Sequence, residues 1–353
     1  MPAEGIGRTR RSFRVTMGAY SIGVDLGGTN LRIAAVDGHG KLLEKLTTGT
    51  EVQRGRDFVI AEMCDAIESL VKKFRDAGNP IGIGIGVPGF IDMDTGTVMR
   101  SPNLPDWMNF PVREQIERRL STKVILENDA NSAALGENWL GAGRGVDHMA
   151  MYTLGTGVGG GLVLNGRLWH GMNGMAGELG HFNVEPDGHP CGCGSRGCLE
   201  QYASATAIVR MAREAITSGE ADELAKASRG NVEFNSRVIY NLAIQGDAAA
   251  QRIYQTVGRA LAIGVGGMVN ALNLPMYVIG GGVASAWDAF APAMFREMKV
   301  RSSIYSLTAP DSPEAGKKHT LVTRALLGSD AGLYGAARLP MLASLGKEDT
   351  EQG

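Results

Sequence analysis

The sequence predicts an α/β protein of two similar lobes with a cleft between them. Three observations carry that expectation. A strand–glycine turn–strand unit opens the chain at 20–37 and recurs at 148–164. Strand-like apolar runs alternate with helical patterns along most of the length, the order typical of α/β architecture. Glycine, 50 of 353 residues, is twice its usual ~7% share. It gathers in short runs between apolar segments, which marks tight turns and close backbone approach.

Taken in order, residues 20–25 and 31–37 read as strands around the turn Leu26-Gly27-Gly28-Thr29-Asn30, and a third short strand covers 41–46. From 57 to 74, Val59, Met63, Ile67, Leu70 and Phe74 share one helical face, and Gly78 with Pro80 stops the helix. Residues 81–87 alternate Ile and Gly, giving a strand with one bare face on which another backbone can pack. Pro111 opens a short helix to residue 120, a strand follows at 123–126, and 128–140 is helical. The pattern then restarts with strand 148–154, glycine turn 155–160 and returning strand 161–164. After a cysteine-rich loop, 199–273 reads as several helices. Strand 276–279 feeds Gly280-Gly281-Gly282 and a helix from Trp287; a strand at 320–324 and an Ala-rich helix at 328–342 come last. The expected division is a flexible extension at 1–18, a first α/β lobe at 19–126 joined by the C-terminal helix at 328–343, and a second at 127–327. Ligands in such folds sit in the crevice.

Composition excludes several classes. With 35 Lys+Arg against 37 Asp+Glu, the chain has no global reason to bind nucleic acid or an acidic membrane. No stretch approaches the ~20 apolar residues of a membrane helix. Four cysteines are too few for a disulfide framework in a chain this long, and reducing, cytoplasmic conditions suit them best. Arg8, Arg10, Arg11 and Arg14 precede the first strand without the apolar run of a signal peptide.

In Val24-Asp25-Leu26-Gly27-Gly28-Thr29-Asn30, two glycines and a hydroxyl at a hairpin turn can present backbone N–H groups to an anion. Asp25 at the strand end could hold Mg²⁺. A plain hairpin, where Gly-Gly is favoured anyway, fits equally. Gly155-Thr156-Gly157-Val158-Gly159-Gly160 matches the dinucleotide fingerprint in form only, because a strand rather than a helix follows. A second phosphate-cradling hairpin is the better reading. No P-loop sequence occurs, and Asp94-Thr95-Gly96 reads as a turn.

Gly177-Glu178-Leu179-Gly180-His181 and the run from Cys191 through Cys193 and Cys198 to Glu200 carry the strongest local signal. One imidazole and three thiolates complete a tetrahedral set for Zn²⁺ and leave no open position, so the metal would be structural. A redox pair is the competing reading, but Cys-x-x-Cys is absent. In Glu127-Asn128-Asp129-Ala130-Asn131, at a strand-to-helix junction, Asn128 and Asn131 suit helix capping, whereas Asp129 suits either a cap role or a general base.

Together and in this order, these segments resemble the ROK family, specifically its glucokinase-type sugar kinases, from about residue 20 to 342. The resemblance implies an actin-like fold of two ribonuclease-H-like lobes, with a zinc-bound loop at 181–200, closing over ATP and a sugar. It implies that Asp129 is the general base for the sugar 6-hydroxyl. Asn128, Glu178, His181 and Glu200 would bind ring hydroxyls, with Asn103 and Gly89 as further sugar-site candidates. His181, Cys191, Cys193 and Cys198 would ligate zinc. Gly27, Gly28, Thr29, Asn30 and Arg32, with Thr156 and Gly157, would cradle the phosphates; Asp25 would position Mg²⁺; Gly281 and Gly282 would meet the nucleoside. Glucose is the favoured substrate, with N-acetylmannosamine, N-acetylglucosamine, fructose and allose as alternatives. A homodimer or higher homo-oligomer is implied. The family's sugar-responsive repressors carry a DNA-reading module ahead of these lobes; fewer than 20 residues precede the first strand here, which favours the kinase.

Overall fold

The computed structural model describes residues 19–101, 103–229 and 233–350; the expected extension at 1–18 lies outside them. The first lobe contains β1 (Tyr20–Leu26), β2 (Asn30–Asp37), β3 (Leu42–Gly49), α1 (Arg56–Lys73), β4 (Ile83–Val87), the hairpin of β5 (Phe90–Asp92) and β6 (Thr97–Arg100), α2 (Val112–Leu120) and β7 (Val124–Asn128). Helix α3 (Asp129–Trp139) leads into β8 (Met149–Leu154), β9 (Val158–Leu164) and β10 (Arg167–Leu168). There follow α4 (Glu200–Ala203), α5 (Ala205–Thr217), α6 (Asp222–Ser228), α7 (Ser236–Ile244) and α8 (Ala248–Leu272). Then come β11 (Met276–Gly280), α9 (Trp287–Arg301), α10 (Ser303–Thr308), β12 (Leu321–Arg324) and α11 (Ala331–Thr350).

The strand orders are β3-β2-β1-β4-β7 and β10-β9-β8-β11-β12. Each sheet is an antiparallel three-strand meander extended by two parallel strands, so the repeat read from the two hairpins extends to whole sheets. Each has its own core. Val59, Met63, Ile67 and Leu70 of α1 are buried against Ile22, Val24, Ile85 and Leu126 of the first sheet. The long α8 lies against the second, with Tyr254, Leu261, Val265 and Val269 in a cluster that includes Tyr152, Tyr277 and Ile279.

The bare face of β4 is used as its alternation implies. A Cβ on Gly84 would stand 2.0 Å from the Ala336 carbonyl oxygen of α11, and one on Gly86 would stand 3.0 Å from Ser132 Oγ of α3. Helices α3 and α11 also cross with their backbones touching: a Cβ on Gly335 would lie 1.6 Å from the Ser132 carbonyl oxygen. No side chain fits there. Below the crossing, the buried Glu137 carboxylate accepts from the N–H groups of Ala142, Leu326 and Leu327 at 2.8, 2.9 and 2.7 Å, tying the end of α3 to the segment between β12 and α11.

The second glycine run departs from expectation. The turn ends at Gly157, and Gly159–Gly161 lie within β9. Their bare face receives α3, for Cβ atoms at Gly159 and Gly161 would stand 2.9 and 2.7 Å from the Cβ atoms of Ala130 and Ala134. Among the described residues, no helix is long and apolar enough to cross a membrane.

Candidate active site

The site grows from the ends of the two sheets. In the first, the β1–β2 turn is closed by the Gly27 N–H, which donates to the Asn30 carbonyl at 2.9 Å. It is braced by Thr50, whose hydroxyl donates to the Gly27 carbonyl at 2.6 Å. Thr29 is exposed at the tip of the turn, and its carbonyl accepts from the Thr50 N–H at 3.0 Å. Asn103 packs on this turn, its Cβ only 3.3 Å from where a Gly28 Cβ would stand. Arg32 on β2 stands opposite Asp25 on β1 and donates to its Oδ2 at 3.0 Å. Burial pushes the Asp25 carboxyl above its ordinary range; Arg32 opposes this and Asp330 reinforces it.

Strand β7 delivers the second carboxylate. Asn128 is the N-cap of α3, its Oδ1 accepting from the Ala130 and Asn131 N–H groups at 2.9 and 3.1 Å. Its Nδ2 donates to the Gly89 carbonyl at 3.1 Å, which joins two of the sequence-predicted sugar-site residues. Because Asn128 takes the capping role, Asp129 is released from it. Burial raises the Asp129 pKa to about 6, with the charges of Asp25 and Glu178 adding to the rise and the helix N-terminal N–H of Ala130 opposing it. Asp129 thus feels two other carboxylates, Asp25 at the end of β1 in the same sheet and Glu178 in the loop beyond β10.

The second sheet supplies the other half. Thr156 and Gly157 form the β8–β9 turn, with the Gly155 N–H donating to the Gly157 carbonyl at 2.9 Å. A Cβ on Gly157 would stand 2.4 Å from Glu200 Oε2, so any larger residue must push that carboxylate aside. That oxygen accepts from the Val158 N–H at 3.0 Å, and Glu200 Oε1 lies 3.7 Å from Cys191 Sγ, so this side chain joins the turn to the cysteine loop. Gly281 is seated against the end of β8, where its Cβ would meet the Leu154 carbonyl oxygen at 2.4 Å; Gly282 beside it faces open space.

His181, Cys191, Cys193 and Cys198 place their ligand atoms within 4.8 Å of one another. His181 Nδ1 is 3.7 Å from Cys191 Sγ, and Cys193 Sγ is 3.7 Å from Cys198 Sγ. Zn–S and Zn–N bonds of about 2.3 and 2.0 Å set tetrahedral edges of roughly 3.5–3.8 Å, so the cluster fits zinc. It does not fit a disulfide, whose sulfurs stand about 2.05 Å apart. Backbone pairing holds the loop in shape: Val184 N–H to the Gly197 carbonyl at 2.8 Å, Leu199 N–H to the Phe182 carbonyl at 2.8 Å, Cys191 N–H to the Ser195 carbonyl at 2.8 Å. With Nδ1 turned to the thiols, His181 Nε2 faces Glu178, 3.9 Å from its Oε2. Burial lifts the Glu178 carboxyl, with His181 opposing and Glu200 adding to the lift.

Sequence reasoning missed two features. A cavity of 830 Å³ opens beside Thr156, lined by Thr206, Val209, Arg210 and Arg213 of α5 and by Asn235 and Ser236 at the start of α7. The spacing of those α5 residues, three and four apart, is the signal that could have found it. The other feature is His170, whose Nε2 lies 2.6 Å from Glu127 Oε2, directly behind the Asn128–Asp129 junction.

Two α/β units of the same sheet order, each ending in a glycine turn, together with a raised carboxyl at the start of α3 and a Cys₃His cluster, define a two-lobed sugar-kinase fold. The chain belongs to the ROK family, whose profile matches residues 21–341. It is 40% identical over 318 residues to a glucokinase of Thermotoga maritima, across 90% of this chain and 96% of that protein. Its fold is similar to that of a ROK hexokinase from Thermus thermophilus, with a TM-score of 0.74 and 33% identity over 93% of this chain and 99% of that one. A ROK family glucokinase from Streptomyces griseus, in complex with glucose and AMPPNP, superposes with a TM-score of 0.71 and 34% identity over 91% of this chain and 99% of that one.

Proposed function

We propose that the chain is an ATP-dependent hexose kinase that phosphorylates glucose at its 6-hydroxyl, releasing glucose 6-phosphate and ADP. The observation that carries the reading is Asp129 at the start of α3, buried so that its carboxyl is pushed up to about 6, with the charges of Asp25 and Glu178 adding to the rise. A carboxylate so tuned is ionised at neutral pH yet basic enough to accept a hydroxyl proton. As the sugar oxygen bonds to the γ-phosphorus and the β–γ bridging bond breaks, the proton passes to Asp129 and the bridging oxygen's electrons leave with ADP.

The rest of the site aligns and screens. Asn128, Glu178, His181 and Glu200, with Asn103 and Gly89, would bind the sugar. Gly27, Gly28, Thr29, Asn30 and Arg32 would face Thr156 and Gly157 across the phosphates. Gly281, Gly282 and the α5 cavity would receive the nucleoside. Asp25, Asp129 and Asp330 converge with more negative charge than Arg32 and Lys45 balance, which suits a divalent cation. Asp25 would hold the Mg²⁺, which screens phosphate charge when bound. Zinc on His181, Cys191, Cys193 and Cys198 would brace the sugar side.

ADP release measured over a panel of glucose, mannose, fructose, allose, N-acetylglucosamine and N-acetylmannosamine tests the substrate. Glucose is expected to give the highest kcat/KM. An amino sugar that outpaces it would overturn the glucose assignment and leave the kinase reading in place.

A further inference from the structure

We infer that His170 is a positioning residue for the phosphoryl transfer: its contact with Glu127 locks the loop that carries Glu178 onto the strand end that carries Asp129. The inference rests on the sugar-side reading of Glu178 and Asp129 proposed above.

Glu127 is 2% exposed, and both its oxygens are engaged. Oε1 accepts from the Asn128 N–H at 2.9 Å and from Asn131 Nδ2 at 3.0 Å, so it holds the turn from β7 into α3 on either side of Asp129. Oε2 meets His170 Nε2 at 2.6 Å. One buried carboxylate of the first sheet therefore grips both its own strand end and a loop that grows out of the second sheet. The hydrogen bond to Glu127 raises the His170 pKa, which favours the imidazolium. A charge-assisted bond of this kind is among the stronger polar contacts a half-buried site can make.

What the bond restrains is the segment from Trp169 to Glu178. It leaves β10 with the Trp169 N–H donating to the Leu162 carbonyl at 2.9 Å, and its far end returns to His170, where the Ala176 N–H donates to the His170 carbonyl at 3.1 Å. Glycines with positive φ at 171, 174 and 177 give the stretch little stiffness of its own. Its middle leans on the first lobe, where a Gly174 Cβ would stand 3.1 Å from the Ile91 carbonyl oxygen, and its end lies by α3, where a Gly177 Cβ would stand 3.5 Å from Asn131 Oδ1. Asn131 Oδ1 is buried and has no hydrogen-bond partner, so it contributes packing but no bond to the loop. Neither ring nitrogen of His170 is needed for the zinc cluster or the phosphate turns. Among the described residues, its polar side-chain contact runs to the residue that shapes the base-bearing turn.

The test compares His170→Gln, whose amide can still donate to Glu127, with His170→Asn, which is too short to reach it, and with His170→Leu, which cannot donate. Glu178→Gln is measured beside them. With glucose and ATP varied separately, the Leu and Asn variants should raise the glucose KM about tenfold and lower kcat, leaving the ATP KM within twofold of the parent. The Gln variant should recover most of both. Equal behaviour of Gln and Asn, parallel loss in the glucose and ATP constants, or parent-like kinetics in all three would overturn the inference. If the Leu variant does not fold, the Gln and Asn pair decides alone. A Glu178→Gln variant with an unchanged glucose KM would sink the sugar-site reading itself. A raised KM there beside parent-like His170 variants would remove only the role given to His170.

Discussion

Replacing Asp129 with Asn removes a carboxyl whose pKa is pushed up to about 6 while leaving its shape in place. The amide oxygen can still accept from the Ala130 N–H, as Asp129 Oδ1 does at 2.9 Å, and Asn128 continues to cap α3, so the fold should survive. In the proposed mechanism only the ionised carboxyl can take the sugar proton. With a pKa near 6, about one Asp129 in ten is competent at pH 5 and nearly all are at pH 7.5. The active form is gained as pH rises, so kcat/KM for glucose in the parent should climb roughly tenfold over that interval and then level, since this ratio reports the free enzyme. In the Asn variant the limb should vanish, and kcat should fall by about 10²–10⁴-fold. ADP is best quantified directly by chromatography at saturating magnesium, because coupling enzymes titrate in the same range. An Asn variant within tenfold of the parent would refute the assignment, as would a parent profile flat from pH 5 to 7.5.

Three further outcomes are expected. Cys193→Ser, at the exposed ligand of the cluster, should cut zinc from one ion per chain to well below that by elemental analysis, with a lower melting temperature and a raised glucose KM; a parent protein without zinc would remove the metal assignment. Gly157→Ala must displace the Glu200 carboxylate from the Val158 N–H and should lower kcat/KM roughly 10- to 100-fold, a reading that unchanged kinetics would contradict. Gly335→Val drives a side chain into the Ser132 carbonyl and should destabilise by about 3 kcal/mol or more in denaturant titrations, where a change under about 0.5 kcal/mol would mean the helices separate freely.

Legibility in the sequence followed the range of the signal. The Ile/Gly alternation at 81–87 announced a strand with a bare face, and α11 and α3 occupy that face. Four ligands crowded into 181–198 announced the cluster, because a loop that short has few other ways to arrange three thiols and an imidazole. Asp94-Thr95-Gly96 was legible as a turn, but the strands of the β5–β6 hairpin on either side of it, only three and four residues long, were not. The reach of β9 into the glycine run was also hidden, since what decides it is the arrival of Ala130 and Ala134 from another element. The Glu127–His170 contact spans 43 positions and two sheets. No local pattern encodes such a meeting, and Glu127 reads as one more acidic residue until the fold brings an imidazole to it.

The placement of α11 bears on how the chain comes together as it is synthesised. The sheet built from the earliest residues is roofed by the last helix: a Cβ at Gly23 would stand 2.5 Å from the Leu333 carbonyl oxygen, some three hundred positions downstream. Until those residues leave the ribosome, β1 and β4 expose a row of uncovered glycine backbone, whereas the second lobe already has all its own strands by Arg324. The N-terminal lobe is thus begun first and completed last, since one face of its sheet waits for α11.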